Sequence, residues 1–110
     1  MFGWLRKLGV PVISVDLHSV SISLRGQMQR LEWTSINQID VGRKPTGQVE
    51  YFYVTLHSDK ASITITDDAK GFPKFESAIL DRWPDIKDAW VAVFMGTPDT
   101  PEHRTLWTRA

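Results

Sequence analysis

Histidine, serine and carboxylate side chains are the groups in this sequence that could do chemistry. The three histidines, His18, His57 and His103, lie in separate segments, without the HxH or HExxH spacing that brings two of them together. A metal ion needs three or four converging ligands, so we expect surface histidines and no metal site. No serine lies in a GxSxG motif. A Ser–His–Asp triad could still assemble in space, but nothing in the sequence selects one.

The carboxylates fit structural positions better than an acid–base pair. Asp67 and Asp68 precede a predicted helix, where Asp normally caps backbone N–H groups and meets the positive end of the helix dipole. Asp81, Asp85 and Asp88 fit a solvated helix face. The chain has no cysteine, which excludes disulfides, cysteine-ligated metals and a thiol nucleophile. It also has no P-loop motif, so we expect neither an enzyme nor a cofactor.

Two adjacent cations, Arg43 and Lys44, form the first candidate binding site. They lie in segment 42–48, which contains two glycines and one proline and is predicted to be a loop. A guanidinium makes bidentate contacts with phosphate-like anions, and an ammonium adds a point charge. The alternative is that both are ordinary solvated cations of a surface loop.

A row of alternating residues, Tyr51, Tyr53 and Thr55, forms the second candidate. These residues face away from the core of a predicted strand. Exposed tyrosines suit protein interfaces because they are large, rigid and amphipathic. The alternative is that the terminal strand or a helix covers them within the chain.

The N-terminal arm, residues 1–11, is the third candidate. It combines apolar and basic residues that could lie on an anionic membrane surface. The residues concerned are Phe2, Trp4, Leu5, Arg6 and Lys7. The alternative, which we expect more often for such a short arm, is that it folds back onto its own domain or onto a sister subunit.

A change of hydrophobic period near residue 70 predicts the elements that must position these residues. From Ile13 to Thr66 apolar residues alternate with polar ones, which indicates about six half-buried strands; from Phe72 to Phe94 they recur every three or four residues, which indicates helices. The fold class is therefore α+β: an antiparallel sheet or partly open barrel closed by two C-terminal helices and a short terminal strand at 104–109. We expect one domain over 12–110.

Turns and inward faces follow from the same pattern. We expect a turn or bulge at His18-Ser19, a hairpin at 25–27 and another turn or bulge at Thr34-Ser35. Pro73 suits a first helical turn and Gly96 suits a helix end. The helices are predicted to present two stripes to the core: Phe72, Phe75, Ile79 and Trp83, then Ile86, Trp90, Val93 and Phe94.

Composition narrows the function classes. Thirteen basic and thirteen acidic residues cancel among 110, so the chain lacks the global positive field of a nucleic-acid binder. Charges at positions 6 and 7 interrupt the apolar N-terminal residues, so we expect no signal peptide. No window approaches the ~20 apolar residues of a membrane span, and we expect a cytoplasmic protein.

The segment from Trp33 through Ile36 to Ile39 resembles the bacterial pleckstrin-homology-like domains, in which a Trp, a short polar gap and two Ile residues recur at such positions. The order of elements is also similar to that of small uncharacterised bacterial proteins, which have an aromatic strand like 51–53, an amphipathic helix like 75–83 and a terminal Trp-x-Arg like 107–109. The resemblance spans about residues 12–109 and implies a strand-rich body followed by a helix. It transfers no catalytic residue.

Together these observations predict a non-catalytic interaction module that binds a protein partner, which could be a second copy of the chain. The alternative is a peripheral membrane or anionic-ligand binder that uses the basic loop and the arm. An enzyme is the third class of function, and it ranks last because no catalytic motif is visible in the sequence.

Overall fold

A computed structural model of the chain describes residues 10–46, 49–96 and 103–109. These residues form seven strands and two α-helices. The strands are β1 (Val12–Val15), β2 (Ser19–Leu24), β3 (Gln27–Glu32), β4 (Gln38–Thr46), β5 (Val49–His57), β6 (Ser62–Thr66) and β7 (His103–Thr108), and the helices are α1 (Phe72–Arg82) and α2 (Lys87–Met95). Short 3-10 helices occupy Trp33–Ser35 and Pro84–Ile86.

The strands form two antiparallel sheets, which confirms the predicted α+β class. The first sheet has the order β1-β2-β3 and the second has the order β6-β5-β4-β7. Strand β7 is the predicted terminal strand, and it pairs with β4 at the edge of the second sheet. None of the helices in the described parts of the chain is long and apolar enough to cross a membrane.

The predicted turns of the first sheet are confirmed. Strand β1 ends before Asp16, whose Oδ1 accepts hydrogen bonds of 2.8 Å from the backbone N–H groups of His18 and Ser19. The β2–β3 hairpin turns on Arg25 and Gly26, both with positive φ (53° and 79°). A two-residue hairpin turn of the primed type needs this geometry.

The predicted loop at 42–48 is wrong. Strand β4 continues to Thr46 and pairs in register with β5, so only residues 47 and 48 separate the two strands. Gly42 fits inside the strand because the ring of Tyr53 occupies the space that its side chain would take. Among the described residues, the pairing of β4 with β7 ends at Gly42 and Pro45 lies beyond it, where the missing N–H of proline is tolerated.

Both helices begin and end close to the predicted residues, but the N-cap of α1 is not the predicted one. Helix α1 has Pro73 in its first turn and ends before Pro84. Its N-cap is Gly71, so the expectation that Asp67 or Asp68 caps the helix is wrong. Helix α2 ends at Gly96, which adopts the left-handed conformation (φ 69°).

Helix α2 packs against β4 and β7 of the second sheet, and helix α1 packs against β1 and reaches the same core through Phe72. The ring of Phe52 on β5 packs against Phe72, Trp90 and Phe94, with ring centroids 5.1–6.2 Å apart. Eleven further core side chains are fully enclosed: Val20, Ile36, Ile39, Val41, Val54, Leu56, Ile63, Ile65, Phe75, Ile79 and Val93.

The last residue of each stripe is less buried than predicted. Phe94 is 42% exposed. Trp83 is half-buried because it follows the last helical turn, and its ring packs against Trp33 and Trp107 at 6.2 and 5.3 Å between centroids. The helices therefore cover the inner face of the second sheet, and alternation along its strands directs the other set of side chains to the opposite face.

Candidate functional site: the outer face of the second sheet

We define the outer face as the side of the second sheet opposite the two helices. Cross-strand pairing places its residues in three rows that run from β6 through β5 and β4 to β7. The rows are Ser62–His57–Gln38–Thr108, Thr64–Thr55–Asp40–Thr105 and Thr66–Tyr53–Gly42–His103. Tyr51 follows Tyr53 on β5 by the same alternation. Within the described residues, this face is hydroxyl- and histidine-rich and no helix packs on it.

Asp40 is the centre of a hydrogen-bonded cluster on this face. The Asp40 residue is only 6% exposed, and its carboxylate accepts bonds from Gln38 Nε2 to both oxygens (2.9 and 3.0 Å). Thr105 Oγ1 donates at 2.8 Å, and His57 Nε2 lies 2.8 Å from the second oxygen. Burial alone would raise the pKa of Asp40, but the hydrogen bonds from Gln38, Thr105 and His57 outweigh it, and the pKa lies below its ordinary value.

The charge on Asp40 fixes the proton arrangement of His57. An ionised carboxylate can only accept, so the imidazole Nε2 carries a hydrogen and, in the neutral ring, Nδ1 has a free lone pair. The hydroxyl of Ser62 lies 3.0 Å from this Nδ1 and is its donor. The structure therefore brings together the Ser–His–Asp arrangement that the sequence could not select. Its members lie on three neighbouring strands, β6, β5 and β4.

Tyr53 is held on two sides within the outer face. Its ring lies over Gly42, and its hydroxyl is 3.1 Å from Nδ1 of His103. The imidazole of His103 stacks beside the phenol, with centroids 6.3 Å apart and planes inclined by 23°. The terminal strand β7 thus supports the edge of Tyr53, and the phenol remains half-exposed.

Tyr51 and Thr55, the other two residues of the predicted row, are also partly exposed on the outer face. Tyr51 is half-exposed, and Thr55 pairs its hydroxyl with Thr64 at 3.0 Å. All three residues face away from the core, as the alternation predicts, and β7 lies beside the row in the same sheet. A role in an interface stays a prediction.

The structure places both predicted cations within strand β4 and not in a loop. Arg43 pairs with Phe52 and therefore points to the helix side of the sheet, where its guanidinium lies against Gly96 at the C-terminal end of α2. A cation there complements the helix dipole. Lys44 pairs in register with Tyr51, within a strand and not within the predicted basic loop. Five predicted arm residues lie outside the described part of the chain: Phe2, Trp4, Leu5, Arg6 and Lys7.

The remaining candidate groups lie apart from the cluster. His18 is exposed at the turn after β1, and Asp81, Asp85 and Asp88 are exposed on or beside the helices, as predicted. Within 10–46, 49–96 and 103–109, no three His, Asp or Glu side chains come together as a metal site would require.

Sequence reasoning missed Asp40, Ser62 and Thr105 as members of one site. The alternation along β5 already places His57 on the outward face. A correct pairing of β4 with β5 would have placed Asp40 on the same face, close to His57. The wrong loop at 42–48 hid that register. Thr105 could not be found this way, because β7 joins β4 after more than fifty intervening residues and with a register shift at Ile39/Asp40.

In comparisons with known proteins, no family model, no curated protein and no solved structure matches this chain.

Proposed function

We propose that the protein is a non-catalytic interaction module that binds a protein partner through the outer face of its second sheet. One observation carries this proposal. The helices occupy the opposite face, so the described part of the chain leaves half-exposed tyrosines, Tyr51 and Tyr53, on a sheet surface with no helix over it.

The rigidity of this surface supports binding. Tyr53 is held by Gly42 below it and by His103 beside it, and Thr55 is held by Thr64. Side chains that are already ordered lose little conformational entropy on association. Tyrosine also contributes both an apolar ring and a polar hydroxyl, which is why it is enriched at interface centres.

The hydrogen-bonded cluster around Asp40 also supports the proposal, because it fixes the side chains at the centre of the outer face. Its buried carboxylate is fully supplied with donors from its own chain, so it sits under the surface without an uncompensated charge. A partner that covers the face meets the hydroxyl, phenol and imidazole groups of the three rows.

The test is capture and rebinding with a matched pair of variants. Tyr51→Ser alters the outer face, and Met28→Ser alters a more exposed position on the first sheet, where Met28 is 68% exposed. A captured protein, once purified, should bind the wild type and Met28→Ser equally and bind Tyr51→Ser at least about tenfold more weakly, which corresponds to about 1.4 kcal/mol. Equal binding to all three proteins would exclude the outer face. Sedimentation of the purified chain separately tests a second copy as the partner.

A further inference from the structure

We propose that Ser62 is a nucleophilic acceptor for the acyl group of activated esters, with His57 as its base and Asp40 as the positioning residue. This inference is independent of the partner. A single transfer to Ser62 is not turnover, so the site is compatible with an interaction module. The observations that carry it are the two hydrogen bonds of His57 and the burial of Asp40.

Register places the nucleophile and the base side by side. Ser62 and His57 are direct cross-strand partners on β6 and β5, with side chains on the same face. The Ser62 hydroxyl lies 3.0 Å from Nδ1, within the reach required of a general base. Ser62 is exposed, and the side chain of His57 is 31% exposed, so a reagent can approach both from solvent.

The third group orients the base. Asp40 holds Nε2–H at 2.8 Å and is itself fixed by Gln38 and Thr105. A nucleophile bonded to a base that a third group orients is the general signature of an activated hydroxyl. The imidazole here uses Nδ1 toward serine and Nε2 toward the carboxylate, and either ring nitrogen can serve as base once the other bears the proton.

The covalent step needs only the Ser62 hydroxyl, the His57 imidazole and the ester itself. The Ser62 oxygen attacks the acyl carbon while its proton passes to His57 Nδ1. The bond between that carbon and the leaving-group oxygen then breaks, and the imidazolium returns its proton to the leaving alcohol. The products are an ester on Ser62 and a free alcohol, with no change of oxidation state.

The experiment is timed acetylation with p-nitrophenyl acetate, followed by peptide mapping to locate each acetyl group. Ser58 is the internal control, because its hydroxyl donates to the carbonyl of Ala61 and has no imidazole partner. We expect Ser62 to be acetylated at least about a hundredfold faster than Ser58, in line with a positioned base. The rate at Ser62 is also followed as a function of pH, because a general base must be unprotonated to accept the proton of Ser62.

Variants make the assignment falsifiable. His57→Gln should remove the advantage of Ser62 over Ser58, and Asp40→Asn should reduce it and alter the dependence of the rate on pH. Circular dichroism of each variant checks that the fold is retained. Acetylation of Ser62 no faster than Ser58 in the wild type would overturn the proposal, as would an undiminished rate in folded His57→Gln.

Discussion

His57 Nε2 lies 2.8 Å from Asp40 Oδ2, and this contact joins β5 to β4 on the outer face of the second sheet. The two residues are diagonal neighbours, since His57 pairs in register with Gln38 and Asp40 pairs with Thr55. Diagonal cross-strand pairs lie within reach of long side chains. The Asp40 carboxylate is buried between His57 on one side and Gln38 and Thr105 on the other. These hydrogen bonds fix the side chains at the centre of the outer face.

Replacing Asp40 should destabilise the fold measurably. In Asp40→Asn the new amide hydrogens would face the donors Gln38 and Thr105, and at least one buried donor would lose its acceptor. Such a loss costs about 1–3 kcal/mol of unfolding free energy. Urea melts at pH 7 measure it. Asp81→Asn, at an exposed helical position, is the control and should change the value by no more than ~0.5 kcal/mol. Equal values for both variants would show that the cluster contributes nothing.

Acid should remove the contribution of two carboxylates. The pKa of Asp40 is lowered because its hydrogen bonds outweigh the effect of burial. The pKa of Asp16 is lowered chiefly by hydrogen bonds from the backbone N–H groups of His18 and Ser19. A lowered folded pKa stabilises the protein above the unfolded value of about 3.9, and this contribution is lost as pH falls through the folded pKa. The difference in unfolding free energy between the wild type and Asp40→Asn should therefore shrink below about pH 4. A difference that stays constant to pH 2 would contradict this.

The tryptophans of the helical region should differ in their contributions. Trp90 is fully buried and donates its indole N–H to Glu76 at 2.7 Å, so Trp90→Ala should cost about 3–5 kcal/mol. Trp83 is half-buried at the helix end, and Trp83→Ala should cost less, about 2–3 kcal/mol. Denaturant melts of the two variants give the order. A larger loss for Trp83 would mean that its contacts with Trp33 and Trp107 contribute more than burial under the sheet.

The sequence predicts most of this fold because its signals are local. Alternation along β5 and β6 assigns Phe52 and Val54 inward and Tyr53 outward, and the helical stripe assigns Phe75 and Trp90, because each pattern needs only neighbouring residues. Local propensity failed at 42–48, where Gly42 and Pro45 resemble a loop until the ring of Tyr53 and the pairing of β4 with β5 are known.

The site was less predictable because it depends on pairing between distant strands. His57, Ser62 and Asp40 are ordinary polar residues in separate segments, and only the β4–β5 and β5–β6 registers bring them within hydrogen-bond distance. The same holds for Tyr53 and His103, which are fifty residues apart.

Arg43 and Gly96 should be energetically coupled. Gly96 has φ 69°, and a β-carbon there would meet the guanidinium of Arg43. Gly26→Ala is the matched control, since Gly26 has φ 79° with nothing within 4 Å of the added carbon. Both changes should cost about 1 kcal/mol or more from backbone strain, and Gly96→Ala should cost more because of the contact. Denaturant melts should also show that Gly96→Ala costs less in an Arg43→Ala background. Equal costs at both glycines would place Arg43 away from the helix end.

Site-specific photo-crosslinking at position 51 in the source organism tests partner binding through the outer face most directly. Tyr51 is replaced by the photoreactive p-benzoylphenylalanine, which keeps an aromatic ring at this position, and Met28 is replaced in the same way as the control on the first sheet. The proposed function predicts a discrete crosslinked species from position 51 after irradiation and none from position 28. Discrete crosslinks from position 28 alone, or none from position 51 in folded protein, would contradict it.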